Sequence, residues 1–133
     1  MKKIFTLLTV FVTALAMADH HQENTSKESG ASAGAYRHVV IFKFKEEATK
    51  GQIQKVESEF AKLPDKIETV TGYEWGTNVS PENHDQGYTH CFIVSFKDRA
   101  GLDVYLPHQA HQDFISVLKP ILDKVMVIDF VAQ

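Results

Sequence analysis

Residues 36–44 read YRHVVIFKF, and this stretch decides the fold. It consists largely of β-branched and aromatic residues, the types that strands prefer. Side chains of a strand alternate between its two faces, and here both faces are apolar. One face carries His38, Val40, Phe42 and Phe44, and the other carries Val39 and Ile41. The pattern predicts a strand that is buried on both sides.

Downstream of this strand, helical and strand-like patterns alternate. Thr49 and Gln52 have the spacing of a capping box, ahead of apolar residues at helical spacing that stop at Pro64. The remaining predicted elements are strands at 70–79 and 88–96, a short helix from Asp98 to Leu106, a helix that breaks near Pro120 and a strand at 125–131. Residues 80–87 (SPENHDQG) are a loop by composition.

The predicted order is β-α-β-β-α-β, which is the ferredoxin-like arrangement of the α+β class. Two helices cover only one face of such a sheet, yet the first and third strands are apolar on both. The uncovered face therefore needs a partner. The simplest partner is a second copy of the chain, because symmetric dimers are the commonest assemblies. We therefore expect a homodimer that forms a dimeric α+β barrel.

The N-terminal residues 1–18, MKKIFTLLTVFVTALAMA, have the pattern of a secretory signal peptide. Two lysines precede an apolar run that is short for a membrane span, and Ala16-Met-Ala18 fits the small-x-small cleavage rule. We expect cleavage after about Ala18 and export to the periplasm or medium; an uncleaved anchor is the alternative. Residues 19–35 contain no large apolar side chain, which predicts a flexible linker before the domain at 36–133.

Composition excludes several function classes. The chain has 133 residues, enough for one domain, and a formal net charge of −3 that becomes −5 without the two signal-peptide lysines. An acidic chain is not expected to bind nucleic acid, and no apolar stretch after the signal is long enough to span a membrane. A single cysteine, Cys91, rules out an internal disulfide and cysteine-rich zinc sites. No motif for a cofactor is present.

The histidines are the candidate functional residues. His38 and His90 share apolar strand faces, where a titratable group needs a partner or a ligand. Tyr105, His108 and His111 follow one another at spacings of three, which places them on neighbouring helical turns. Histidine and tyrosine together can act as base and proton donor near neutral pH. The alternatives are core histidines satisfied by the protein itself and polar groups on a surface turn.

Four segments together resemble the Dabb family of stress-responsive dimeric A/B-barrel domains, and the likeness spans residues 36–133. The segments are RHVVIFKFK (37–45), GYTH (87–90), YLPHQAH (105–111) followed by Phe114, and IDF (128–130). The resemblance implies a ferredoxin-like fold, a homodimer and a cavity between sheet and helices. The family usually has His-Pro-x-His, whereas here Pro107 precedes His108 and Gln109 follows it.

A polyketide cyclase of this family closes its substrate by an aldol condensation that uses a tyrosine and a histidine. Motif matching implies that Tyr105 and His111 correspond to that pair. The resemblance further implies that the ligand pocket is lined by His38, His90, His108, Trp75 and Tyr88.

Three functions remain open at this point. The first is an exported homodimer that binds a small, mostly apolar carbonyl or aromatic ligand in a pocket lined by histidine and tyrosine. The second is a cofactor-independent acid–base cyclase or lyase, in which His111 removes a proton and Tyr105 holds the oxygen. The third is metal or haem binding by His38, His90 and His111, which would have to converge on one point.

Overall fold

The computed structural model describes residues 33–133. The predicted signal peptide and most of the predicted linker therefore lie outside the described residues. The elements are β1 (Tyr36–Phe44), α1 (Lys50–Ala61), α2 (Leu63–Lys66), β2 (Val70–Thr77), β3 (His90–Phe96), α3 (Arg99–Tyr105), α4 (Gln109–Leu118) and β4 (Leu122–Val131). Within this described part, no helix has the length and apolar character that a membrane crossing requires.

The four strands form one antiparallel sheet in the order β2-β3-β1-β4. The strand that the sequence marks as buried on both sides, β1, occupies a central position between β3 and β4. Its register sets His38 opposite Val94 on one neighbour and opposite Asp129 on the other. The predicted ferredoxin-like α+β class is confirmed.

The helices cover one face of the sheet and enclose an aromatic core. Phe60 from α1 stacks on Phe92 from β3, with ring centroids 4.4 Å apart, and lies 4.5 Å from Phe114 of α4. Phe42 of β1 completes the group at 5.2 Å from Phe92. All four rings are almost fully buried. These contacts fix the helices on the sheet and fill much of the space between them.

Local capping signals formed as predicted, whereas several boundaries differ. Thr49 and Gln52 form the capping box of α1, and Asp98 caps α3. Pro64 does not end the helical path but lies in the first turn of α2, where a missing N–H is tolerated. Strand β2 ends at Thr77 and β3 begins at His90, both inside the predicted ranges. The reason is that residues 78–89 form a loop, which the carboxylate of Asp85 holds by hydrogen bonds. Strand β4 begins at Leu122, soon after Pro120.

The face of the sheet opposite the helices is apolar and only half-buried, as the two-faced β1 pattern predicts. Val39 and Ile41 of β1 lie there with Ile93 of β3. The edge strand β4 is apolar on both faces, and its large side chains are about half exposed: Val125, Met126, Val127, Ile128, Phe130 and Val131. A long, exposed, apolar edge strand is a surface that proteins normally cover.

Candidate functional site

Tyr105 and His111 lie in contact at the junction of α3 and α4. Tyr105 is the last residue of α3 and is only 1% exposed, while His111 lies in the first turn of α4 and is half-buried. Their ring centroids are 4.5 Å apart. The shifted Pro107 therefore leaves the two predicted catalytic side chains together. Whether they act on a ligand stays a prediction.

One backbone carbonyl fixes the His111 ring. The Leu106 carbonyl oxygen accepts hydrogen bonds from His111 Nδ1 at 2.9 Å and from Gln112 Nε2 at 2.7 Å. A carbonyl can only accept, so Nδ1 carries the hydrogen. In the neutral imidazole, the lone pair available to a ligand is then on Nε2. The junction thus presents a defined tautomer of His111 beside a phenol.

Burial sets the protonation states of this pair. It lowers the pKa of His111, against a smaller opposing effect of the Leu106 hydrogen bond, and nearby His38 lowers that pKa further. Burial also raises the pKa of Tyr105. Near neutral pH the site therefore holds a neutral imidazole, able to accept a proton, beside a protonated phenol, able to donate a hydrogen bond.

The lowered pKa of His111 predicts a loss of stability on acidification. The unfolded chain takes up the proton near pH 6.5, the ordinary value, before the folded chain does. The free energy of unfolding should therefore fall between about pH 6.5 and the lowered pKa. His111→Gln should lose less stability than wild type between pH 7.5 and pH 5 in urea titrations, while the exposed-loop control His84→Gln should match wild type. Equal losses in wild type and His111→Gln would contradict the assignment.

His38 lies beside Tyr105 and is held by a carboxylate from β4. Its ring centroid is 6.0 Å from that of Tyr105, and its Nδ1 donates to Asp129 Oδ1 at 2.7 Å. The Tyr36 hydroxyl donates to the other oxygen of Asp129 at 3.3 Å. The structure therefore places His38, Tyr105 and His111 in one group on the helix-covered side of β1, which we call the Tyr–His cluster.

His90 occupies a different environment: it begins β3, whereas Phe96, which contacts Tyr105, ends the same strand. Its Nε2 bonds to Glu57 Oε1 at 3.0 Å, its Nδ1 bonds to Thr89 Oγ1 at 2.8 Å, and the Trp75 ring stacks on it at 6.2 Å. Both ring nitrogens are thus occupied by protein groups. This arrangement fixes the orientation of His90 and leaves neither nitrogen free for a metal or a ligand.

Two acidic partners in these arrangements were not predicted. Asp129 lies within the quoted 128–130 segment, but its pairing with His38 follows only from the β1–β4 register. Glu57 follows Ile53 by four residues and precedes Phe60 by three, so it lies on the apolar stripe of α1. A carboxylate on an apolar stripe was the available signal that a buried partner exists.

His108, Tyr88 and Trp75 have other surroundings. His108 is the N-cap of α4, where its Nδ1 accepts from the Ala110 N–H at 3.1 Å. A cavity of about 530 Å³ lies against the open face of the sheet beneath the 78–89 loop, and Trp75, Tyr88 and His90 border it. Its floor is formed by Ile41, Cys91, Ile93 and Met126. The Tyr–His cluster is not part of its lining.

Within residues 33–133, no group of three His, Cys, Asp or Glu side chains is placed to hold a metal ion. His38 and His90 are each paired with a separate carboxylate instead of converging. Burial raises the pKa of the Cys91 thiol, which keeps it protonated near neutral pH.

Comparison with known proteins agrees with this geometry. The model of the stress-responsive A/B barrel domain matches residues 36–132. The chain belongs to this family. A stress-response A/B barrel domain-containing protein of Arabidopsis thaliana, HS1, is 36% identical over 97 residues, which is 73% of this chain and 89% of that protein. Olivetolic acid cyclase of Cannabis sativa is 29% identical over 96 residues, which is 72% of this chain and 95% of the cyclase.

Similar solved structures have the same fold. The crystal structure of At3g17210 from Arabidopsis thaliana matches with a TM-score of 0.70 and 35% identity, covering 74% of this chain and 95% of that one. Matching structures from Thermobifida fusca, Bacteroides fragilis and Jannaschia are described as dimeric with a ferredoxin-like fold, at TM-scores of 0.65, 0.61 and 0.65. The Jannaschia protein is 25% identical and covers 73% of this chain and 98% of its own.

Proposed function

We propose that this chain is an exported homodimer that binds a small, mostly apolar carbonyl or aromatic compound beside Tyr105 and His111. The observation that carries the proposal is the contact of the two rings, whose centroids are 4.5 Å apart. The contact places the Nε2 lone pair of His111 beside a phenol at the edge of the aromatic core. Ligand sites typically combine apolar walls with a few convergent polar groups. The half-buried His111 provides the approach from solvent.

The aromatic core limits the size of the ligand. Phe60, Phe92 and Phe114 are at most 3% exposed. The centroid of the Phe60 ring lies 4.4 Å from that of Phe92 and 4.5 Å from that of Phe114. The His111 ring lies 6.4 Å from Phe114, so the apolar wall begins directly beside the imidazole. A long chain would have to displace these rings, and disrupting a close-packed core is destabilising. We therefore expect a compound about the size of a single ring.

Titration calorimetry with cyclohexanone as the probe tests the binding proposal. Wild type should bind the ketone. Tyr105→Phe should bind it more weakly because it removes the donor to the carbonyl oxygen, and His111→Ala should bind it more weakly because it removes the imidazole ring that packs beside Tyr105. Binding that is the same in wild type and both variants would locate the ligand elsewhere, for example in the cavity on the open face, and would contradict the proposal.

A second copy of the chain is the partner that fits the open face. Met126, Ile128 and Phe130 of β4 are about half exposed, and they lie on the open face beside Val39 and Ile41 of β1. The dimeric ferredoxin-like relatives support the same arrangement. A self-complementary apolar face of this kind suits a two-fold homodimer.

Ile128→Asp should dissociate this dimer. Ile128 lies opposite Val39 on the open face, so the substitution buries an unpaired charge between the copies. Such a charge costs about 3–5 kcal/mol, which raises the dimer dissociation constant about 100-fold or more. Sedimentation velocity measures the change, and Val104→Asp, on the exposed surface of α3, is the control that should remain dimeric. A dimeric Ile128→Asp or a monomeric wild type would contradict the arrangement.

Acid–base catalysis is a second candidate function, favoured by the tautomer of His111. Its Nε2 can take the α-proton of a bound ketone while the carbon–hydrogen electron pair moves to give an enolate. The Tyr105 hydroxyl would donate a hydrogen bond to the enolate oxygen, where charge develops. The protonated imidazole then returns the proton to the product, so no cofactor or oxidant is consumed. The 29% identity to olivetolic acid cyclase supports this candidate.

Export is proposed from the N-terminal pattern. N-terminal sequencing of the protein recovered from its own host should find a mature chain that begins at about Asp19, and Ala18→Arg should block the cleavage because the site requires small residues. Recovery of the uncleaved chain from the cytosolic fraction of the wild type would contradict export.

A further inference from the structure

The hydroxyl group of Tyr73 has no hydrogen-bond partner. Tyr73 lies on the helix-covered face of β2, opposite Val94, and its ring packs 5.4 Å from Phe60 and 6.4 Å from Phe92. Among residues 33–133, its oxygen is the single buried side-chain polar atom without a partner. Buried hydroxyls are nearly always bonded, so an exception calls for a functional reason. None of the sequence motifs points to this residue.

Tyr73 lies between the two groups of candidate residues. The Glu57 carboxylate, which holds His90, contributes to the raised pKa of Tyr73 after the larger effect of burial. Tyr73 in turn contributes to the raised pKa of Tyr105, again after burial. The sheet register gives the geometric link: Tyr73 and His38 lie on either side of Val94 on the helix-covered face, and the His38 ring is 6.0 Å from that of Tyr105. Both phenols stay protonated through the neutral range.

We infer that Tyr73 is a second hydrogen-bond donor to the ligand, so that Tyr73 and Tyr105 together hold one ligand oxygen that carries negative charge. This inference rests on the proposed function and narrows it. Two O–H donors directed at one atom favour an oxygen that carries negative charge, such as that of an enolate or a phenolate. In a low-dielectric interior, such charge-assisted bonds are strong. The ligand class is therefore a small compound that presents an oxygen anion, as a ring-sized enol or phenol does.

Binding of 4-nitrophenolate, followed by its visible absorption, tests the inference. Tyr73→Phe removes only the hydroxyl and should weaken this binding about 10- to 100-fold, the effect expected for a hydrogen bond to a charged group. Tyr105→Phe should weaken it to a similar degree. Tyr88→Phe is the matched hydroxyl deletion and should bind 4-nitrophenolate as tightly as wild type, because Tyr88 borders the cavity on the open face instead of the Tyr–His cluster.

The two variants separate the inference from the proposed function. If Tyr105→Phe weakens binding and Tyr73→Phe does not, Tyr73 has no ligand role and the proposed function stands. If wild type does not bind 4-nitrophenolate and binds no cyclohexanone either, both are overturned. If wild type binds cyclohexanone but not 4-nitrophenolate, the proposed function stands and only the preference for an oxygen anion is overturned.

Two further measurements do not depend on affinity. Tyr73→Phe should raise the midpoint of urea unfolding in the absence of probe, because it removes an unbonded buried hydroxyl; a lowered midpoint would show that the hydroxyl has a structural partner and would overturn the inference. In protein labelled with ¹³C at tyrosine Cζ, the Tyr73 resonance, assigned with Tyr73→Phe, should shift when 4-nitrophenolate is added. A Tyr73 resonance that stays in place while that of Tyr105 moves would also overturn it.

Discussion

His111→Ala should slow the protein-catalysed exchange of the α-protons of cyclohexanone in D2O by about 100-fold or more. General base catalysis by a positioned side chain contributes about 10²–10⁴-fold, and alanine removes the imidazole whose Nε2 lone pair would take the proton. Proton NMR follows the disappearance of the α-proton signal. The exchange needs no knowledge of the natural ligand, because it reports the proton-transfer step itself.

Three comparisons make this result specific. Tyr105→Phe should slow the exchange by about 10²–10³-fold, since it removes the donor to the developing oxygen anion. His84→Ala, in the exposed 78–89 loop, should exchange as fast as wild type, although it also deletes one imidazole. A wild type that exchanges no faster than buffer would remove the catalytic candidate and leave the binding proposal. Equal rates for wild type and His111→Ala would identify a different base.

Phe60→Ala should lower the free energy of unfolding by about 3–5 kcal/mol, the range for a large aromatic residue truncated in a packed core. Phe60 is 1% exposed and contacts rings from the sheet and from α4, so no neighbour can close the space without moving a helix. Urea titration measures the loss, at one fixed protein concentration because the stability of the proposed dimer would vary with concentration.

Val79→Ala is the control for Phe60→Ala. Val79 is 90% exposed and should change the free energy of unfolding by no more than about 0.5 kcal/mol. A loss of less than about 1.5 kcal/mol for Phe60→Ala would show that the aromatic core tolerates a cavity. In that case the core beside His111 would not restrict the ligand to the size of a single ring.

Local sequence signals predicted most of the fold because they act within one or two turns of chain. The capping box at Thr49 and the N-cap at Asp98 formed as expected, since each needs only a neighbour three residues away. The β1 stretch predicted a two-faced strand correctly, since alternation is a local property. Pro64 was misplaced as a stop because the same residue is tolerated in a helical first turn, and the sequence does not distinguish the two uses.

The candidate site was predictable only in part, because its contacts depend on register. The Tyr105–His111 contact follows from a short segment and could be anticipated. The pairing of His38 with Asp129 joins residues 91 positions apart, and that of His90 with Glu57 joins residues 33 apart. Neither spacing carries a local signal. The sequence placed His38 and His90 in one predicted pocket, whereas the structure gives each its own carboxylate.

A crystal structure of the protein purified from its own host tests the central claim most directly. We expect electron density for a ring-sized molecule beside α3 and α4, with one oxygen about 2.6–3.2 Å from the Tyr105 hydroxyl and the adjoining carbon facing His111 Nε2. Side chains that close the space around Tyr105 completely, with bound density confined to the cavity on the open face of the sheet, would contradict the account.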